Sequence, residues 1–132
     1  MMHDAGWPYL KQAMALDHKS REAEAIALYQ EAIKRGLSDD HLKDALVCLA
    51  SSFRVIGKLP SAVKYIKIAK RKFPDDLVVL MFYALIMFHK GDAAEAVKDL
   101  ARIVITRAGD DLGGYKQPLS RYYNRIRRQK NN

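Results

Sequence analysis

The stretch Leu49–Pro74, LASSFRVIGKLPSAVKYIKIAKRKFP, holds two helical segments joined by the short turn Ile56-Gly-Lys-Leu59. Ala50 and Ala62 lie twelve residues apart across that turn. Two antiparallel helices joined so tightly approach closely only where a facing side chain is small, so the two alanines are expected to meet. Gly57 suits the left-handed end of the first helix, having no Cβ to clash. Pro60 suits the first turn of the second, where its missing N–H costs nothing. The larger residues Phe53 and Ile66 then fill the space between this hairpin and its neighbours.

Working outward, the same pattern recurs on both sides. Ala13, Ala50 and Ala84 are 37 and 34 positions apart; Ala25, Ala62 and Ala96 repeat those steps, as do Ala32, Ala69 and Ile103. Leu16, Phe53 and Met87 form a bulky series in the same register, and Tyr29, Ile66 and Leu100 form another. The joints agree as well: Leu37-Ser-Asp-Asp, Phe73-Pro-Asp-Asp and Ala108-Gly-Asp-Asp. A fixed period near thirty-four residues means stacked supersecondary units. Helical apolar spacing and the stop and start residues place helices at about 5–17, 21–35, 40–56, 60–72, 76–90, 93–107 and 118–129. Gly36, Gly57 and Gly91 end helices, Pro118 opens the last one, and Asp92-Ala-Ala-Glu95 has the spacing of a capping box. The fold class is all-α: a right-handed superhelical stack of three hairpins in one domain, with units at about 8–38, 42–75 and 76–109. A C-terminal capping helix follows at about 118–129.

The middle unit resembles the tetratricopeptide repeat family at Leu49-Ala50, Phe53, Gly57, Leu59, Ala62, Ile66, Ala69 and Pro74. The third unit keeps Ala84, Met87, Gly91, Ala96 and Leu100, with Ile103 for the usual alanine and Ala108 for the proline. The first keeps Ala13, Leu16, Ala25, Tyr29 and Ala32, with Ser20 in place of the turn glycine and three extra residues before the next unit. The likeness spans about residues 8–108 and extends to short bacterial proteins built of such repeats. It implies a protein-binding module. Family members that grip a C-terminal carboxylate use Lys, Arg and Asn on the concave face; the matching positions here hold Met14, Ser51 and Leu85, which implies no such clamp.

Composition bounds the rest. The 132 residues are 49% hydrophobic and 29% charged, with a net charge of +8. Six of the basic residues (Lys116, Arg121, Arg125, Arg127, Arg128 and Lys130) and no acidic one lie between Tyr115 and Asn132. No basic start followed by an apolar stretch marks a leader. The longest apolar run, Leu77–Phe88, is shorter than the roughly 20 residues that cross a bilayer. With Cys48 alone there is no internal disulfide, and the expected location is the cytoplasm, with no membrane association.

No chemistry is legible. His3, His18, His41 and His89 have no metal-ligand spacing, and no phosphate-binding loop or nucleophile elbow is present. Cys48 reads as a packed thiol. The Asp pairs at 39–40, 75–76 and 110–111 follow the repeat and read as helix-start caps. No enzyme activity, cofactor or metal is expected.

The exposed face of the first helix of each hairpin lines the concave side of such a stack. It is expected to carry Leu10 and Met14 from unit one, Val47, Ser51 and Arg54 from unit two, and Val78, Met81, Leu85 and Phe88 from unit three. The segment Leu77–Phe88 is apolar all round, and such helices are covered all round, either by the repeat and the terminal helix or by a bound apolar segment or a second subunit. The expected function is therefore a non-catalytic scaffold taking an amphipathic helix or extended peptide in this groove. Met14, Met81, Leu85 and Phe88 would anchor it, and Arg54 would orient an acidic group. Homodimerisation through the same surface is one alternative. Nucleic-acid binding by the tail, where basic residues interleave with Tyr115, Tyr122 and Tyr123, is the other and the less favoured. Leu119, Tyr122, Tyr123 and Ile126 share one helical face, so the tail reads first as a cap on the third hairpin with Arg121, Arg125 and Arg128 in water.

Overall fold

The computed structural model describes residues 4–127. Among them are seven α-helices and no strand: α1 Trp7–His18, α2 Glu22–Arg35, α3 Asp39–Val55, α4 Leu59–Lys72, α5 Leu77–Lys90, α6 Ala93–Arg107 and α7 Lys116–Asn124. A 3-10 turn, Gly113–Tyr115, leads into α7. The first six lie within two residues of the spans expected from sequence.

Helices pair as α1 with α2, α3 with α4 and α5 with α6. Each pair stacks on the next through α2 on α3 and α4 on α5. The alanine series explains how they come so close. Ala13, Ala25, Ala32, Ala50, Ala62, Ala69, Ala84 and Ala96 are all buried in one continuous core with Tyr29, Leu49, Ile66 and Ile86. Such interiors are close-packed, so each small residue sets a spacing that its neighbours must match.

The turn within each pair is the same structure three times. The N–H of Arg21 donates to the carbonyl of Leu16, that of Lys58 to Phe53, and that of Asp92 to Met87, at 2.8–2.9 Å. The residue before each donor, Ser20, Gly57 or Gly91, takes a positive φ of 59°, 82° or 99°. The doubly bonded end satisfies carbonyls that the helix leaves free.

The Asp pairs divide. Asp76 caps α5, its carboxylate accepting from the Val79 N–H at 3.1 Å, and Asp92 caps α6 through the Glu95 N–H. Asp39 and Asp40 lie in the first turn of α3 without a side-chain cap bond, at the positive end of the dipole. Asp110 and Asp111 sit in a turn ahead of the 3-10 segment, not at a helix start. The Ser38 N–H is instead taken by the Asp4 carboxylate at 2.6 Å, which His41 Nδ1 also meets at 3.0 Å. Trp7 stacks on the His41 ring at 4.1 Å. Gly6 belongs to the same clasp: a Cβ there would fall 2.0 Å from the Ala32 carbonyl oxygen.

The terminal helix is shorter than expected. It starts at Lys116, because the 3-10 turn runs into it directly, so Pro118 occupies its third position rather than its first. It ends at Asn124, leaving Ile126 beyond it, and none of its residues is fully buried. Without a buried face a short helix has little to stabilise it. Residues 128 and 129 of the expected span lie outside the described residues, as do Lys130 and His3.

Candidate functional site

α5 carries almost nothing but apolar side chains, LVVLMFYALIMFHK. Its inner face buries Val79, Tyr83, Ala84, Ile86 and Met87. Leu77, Val78, Met81, Leu85 and Phe88 stay exposed, as do Val97, Leu100 and Val104 on α6. Between the two helices runs an open trough of about 550 Å³, lined by Val78, Met81, Phe82, Ala84, Leu85, Phe88, Ala96, Val97 and Leu100. No charged side chain lines it.

The cause is position in the stack. Tyr29, Ile66 and Leu100 hold the same place in successive units; the first two are fully buried and Leu100 is 41% exposed. Leu10, Val47 and Met81 form a second such series, at 0%, 5% and 56%. In the first two units a following helix covers this face. Among the described residues no such helix follows α6: α7 lies against α6 and not against α5. There Leu112, Leu119 and Tyr123 meet Val104 and Ile105 around a second cavity of about 350 Å³, which adjoins the trough at Val97 and Leu100. The expected cap is thus partial, with Tyr122 exposed and the α5 side open.

The nine residues expected to share one groove are not brought together. Leu10 and Val47 are buried, a correction to their expected exposure. α1 touches α3 and α3 touches α5, so the concave face closes at their level. Met14, Ser51 and Arg54 are half-buried, and Arg54 Nε is enclosed without a hydrogen-bond partner among the described residues. Val78, Met81, Leu85 and Phe88 do gather in the trough. Phe82, Val97 and Leu100 were missed as lining residues; for Leu100 the reason is that its counterparts Tyr29 and Ile66 belong to the interior. That Leu100 ends its series was the available signal.

Burial pushes the Cys48 thiol up, keeping it protonated at neutral pH. Burial, then the hydrogen bond that the Tyr29 hydroxyl donates to Asp17, raises Tyr29 well above the ordinary tyrosine range. Asp17 also accepts from Ser52 Oγ at 3.0 Å, tying unit one to α3. Asp99 is buried between Lys70 at 3.5 Å and Arg102 at 3.2 Å. Lys70 Nζ also lies 3.8 Å from the centre of the Tyr83 ring, so this cluster joins α4, α5 and α6. Lys64, Lys67, Lys70, Arg71 and Lys72 make α4 a wholly basic helix, a second concentration of charge besides the tail. Among the described residues no group of three or more His, Cys, Asp or Glu side chains could hold a metal. No helix there is long and apolar enough to cross a membrane.

A family model described as tetratrico peptide repeat matches residues 8–126. No curated protein matches the chain.

Proposed function

Since the chain belongs to the tetratricopeptide repeat family, whose members are generally non-catalytic modules for protein–protein interaction, we propose that it is a docking module. Its binding face is the apolar trough between α5 and α6. The observation that carries this reading is the exposure of Met81, Leu85, Phe88 and Leu100 around a preformed, uncharged cavity. Apolar patches of this kind on a folded surface mark interaction sites. The trough lies where an α-helix covers the equivalent face of the earlier units, so an amphipathic helix with apolar residues at i, i+3 and i+7 fits it. Burial of those side chains supplies the affinity, with Met81, Leu85 and Phe88 as anchors.

The test is binding of a fluorescent, leucine-rich amphipathic helical peptide to the parent and to a Met81→Ser, Leu85→Asn double variant. The reading expects saturable binding to the parent and a loss of at least tenfold in the variant, with helical content unchanged. Equal binding by both proteins would place the docking face elsewhere.

A further inference from the structure

We propose that the natural occupant of the trough is α5 of a second copy of this chain, so that two copies pair antiparallel about a two-fold axis. This rests on reading the α5–α6 face as a docking surface, and it names the partner.

The first support is that no other described element covers the face: α7 contacts α6 and not α5. At the other end Asp4 is held at the joint before α3 by Ser38 and His41.

The second is self-complementarity. Val78, Met81, Leu85 and Phe88 recur every three or four residues, one stripe along the length of α5. A two-fold interface brings the same patch from both copies together. An uncharged stripe meets its own image without like-charge repulsion. The centre of the stripe falls between Met81 and Leu85, so Met81 of each copy meets Leu85 of the other.

The third is charge at the ends. Asp75 lies just before α5, and His89 and Lys90 close it; all three are exposed. Antiparallel pairing sets the acidic end of one helix beside the basic end of the other, twice, and opposes the two helix dipoles. A parallel arrangement would set like ends together.

The experiment is the mass of the full chain in solution, by sedimentation equilibrium, from about 1 to about 100 µM, the range in which a moderate dimer populates both states. The parent is expected to reach twice its 15.0 kDa chain mass. Met81→Lys and Leu85→Glu should each be monomeric with parental helical circular dichroism. Mixing the two should restore the dimer, since Lys at 81 then faces Glu at 85 across the axis. Should either charged variant lose its helical signal, Phe88→Ser, at the rim of the stripe, replaces it, and a monomer is again expected.

A parent that stays monomeric at about 100 µM overturns the second copy as occupant. If it nevertheless binds the amphipathic peptide, the docking face stands and only this inference falls. A dimer that survives both charged substitutions pairs through another surface, which also overturns it. Failure of the mixture to reassociate overturns the antiparallel arrangement.

Discussion

Ser20 shares its backbone conformation with Gly57: both take a positive φ, 59° and 82°, at the same place in the turn between paired helices. The residue after each donates its N–H to the same carbonyl position, Leu16 for Arg21 and Phe53 for Lys58. The left-handed region crowds Cβ against the following carbonyl, which glycine avoids and serine does not. The first turn therefore holds strain that the second lacks.

Ser20→Gly should stabilise the protein by about 0.5–1 kcal/mol, the relief of the left-handed conformation less the greater freedom of glycine in the unfolded chain. Gly57→Ala should cost about 1 kcal/mol for the same reason in reverse. Paired urea melts decide it. Opposite signs are expected, and equal effects would mean that the turn does not govern stability.

Ala62 is buried where α4 approaches its neighbours. Ala62→Leu should destabilise by about 1–3 kcal/mol through overpacking, with the loss felt in adjoining pairs because units in such arrays stack on their neighbours. A thermal unfolding curve that matches the parent would remove the close approach from the account.

Asp4 has its carboxyl held below its ordinary value of 3.8, first by the Ser38 N–H and then by His41. A depressed acid contributes stability that is fully present above its unfolded pKa and lost as pH falls through the folded value. Asp76 shifts the same way: burial raises it, but the bonds from Lys43 and the Val79 N–H outweigh that. Acidification below about pH 4 should therefore loosen the Asp4 clasp and the Lys43–Asp76 link between α3 and α5. Site-resolved NMR titration of the Asp4 carboxyl should give a midpoint below 3.8. Asp4→Asn should reduce the acid sensitivity while lowering stability at neutral pH.

Ending the chain after Gly114 should remove the contact of Leu119 and Tyr123 with α6. The cost should be about 1–2 kcal/mol from lost apolar burial, with more aggregation as Val104 is uncovered further. A tail acting only on nucleic acid would leave stability unchanged on truncation and abolish RNA or DNA binding. The intact chain is expected to bind nucleic acid weakly and to release it at moderate salt.

The helices, their order and their turns were legible in the sequence because the signals for them are local. Ala50 and Ala62 announce a hairpin from twelve residues apart, and Gly57 and Asp92 mark where helices stop and start through bonds to residues nearby. The repeat then extends one hairpin along the chain, and the family match over residues 8–126 bears out the repeat family. Exposure is not a local property. Ile66 and Leu100 hold the same place in their units and carry side chains of one size, yet one is interior and the other open. The difference lies in the element that follows each: α5 covers the face of the second pair, while α7 turns onto α6. Leu10 and Val47 were misplaced for the same reason, since their burial depends on first helices of successive pairs touching. The joining of Asp4 to Ser38 and His41 likewise spans more than thirty residues with no repeat to announce it. Sequence determined what the units are, through short-range backbone and side-chain bonds. Tertiary structure decided which face each unit leaves open, because burial depends on neighbours that the chain brings together from far away.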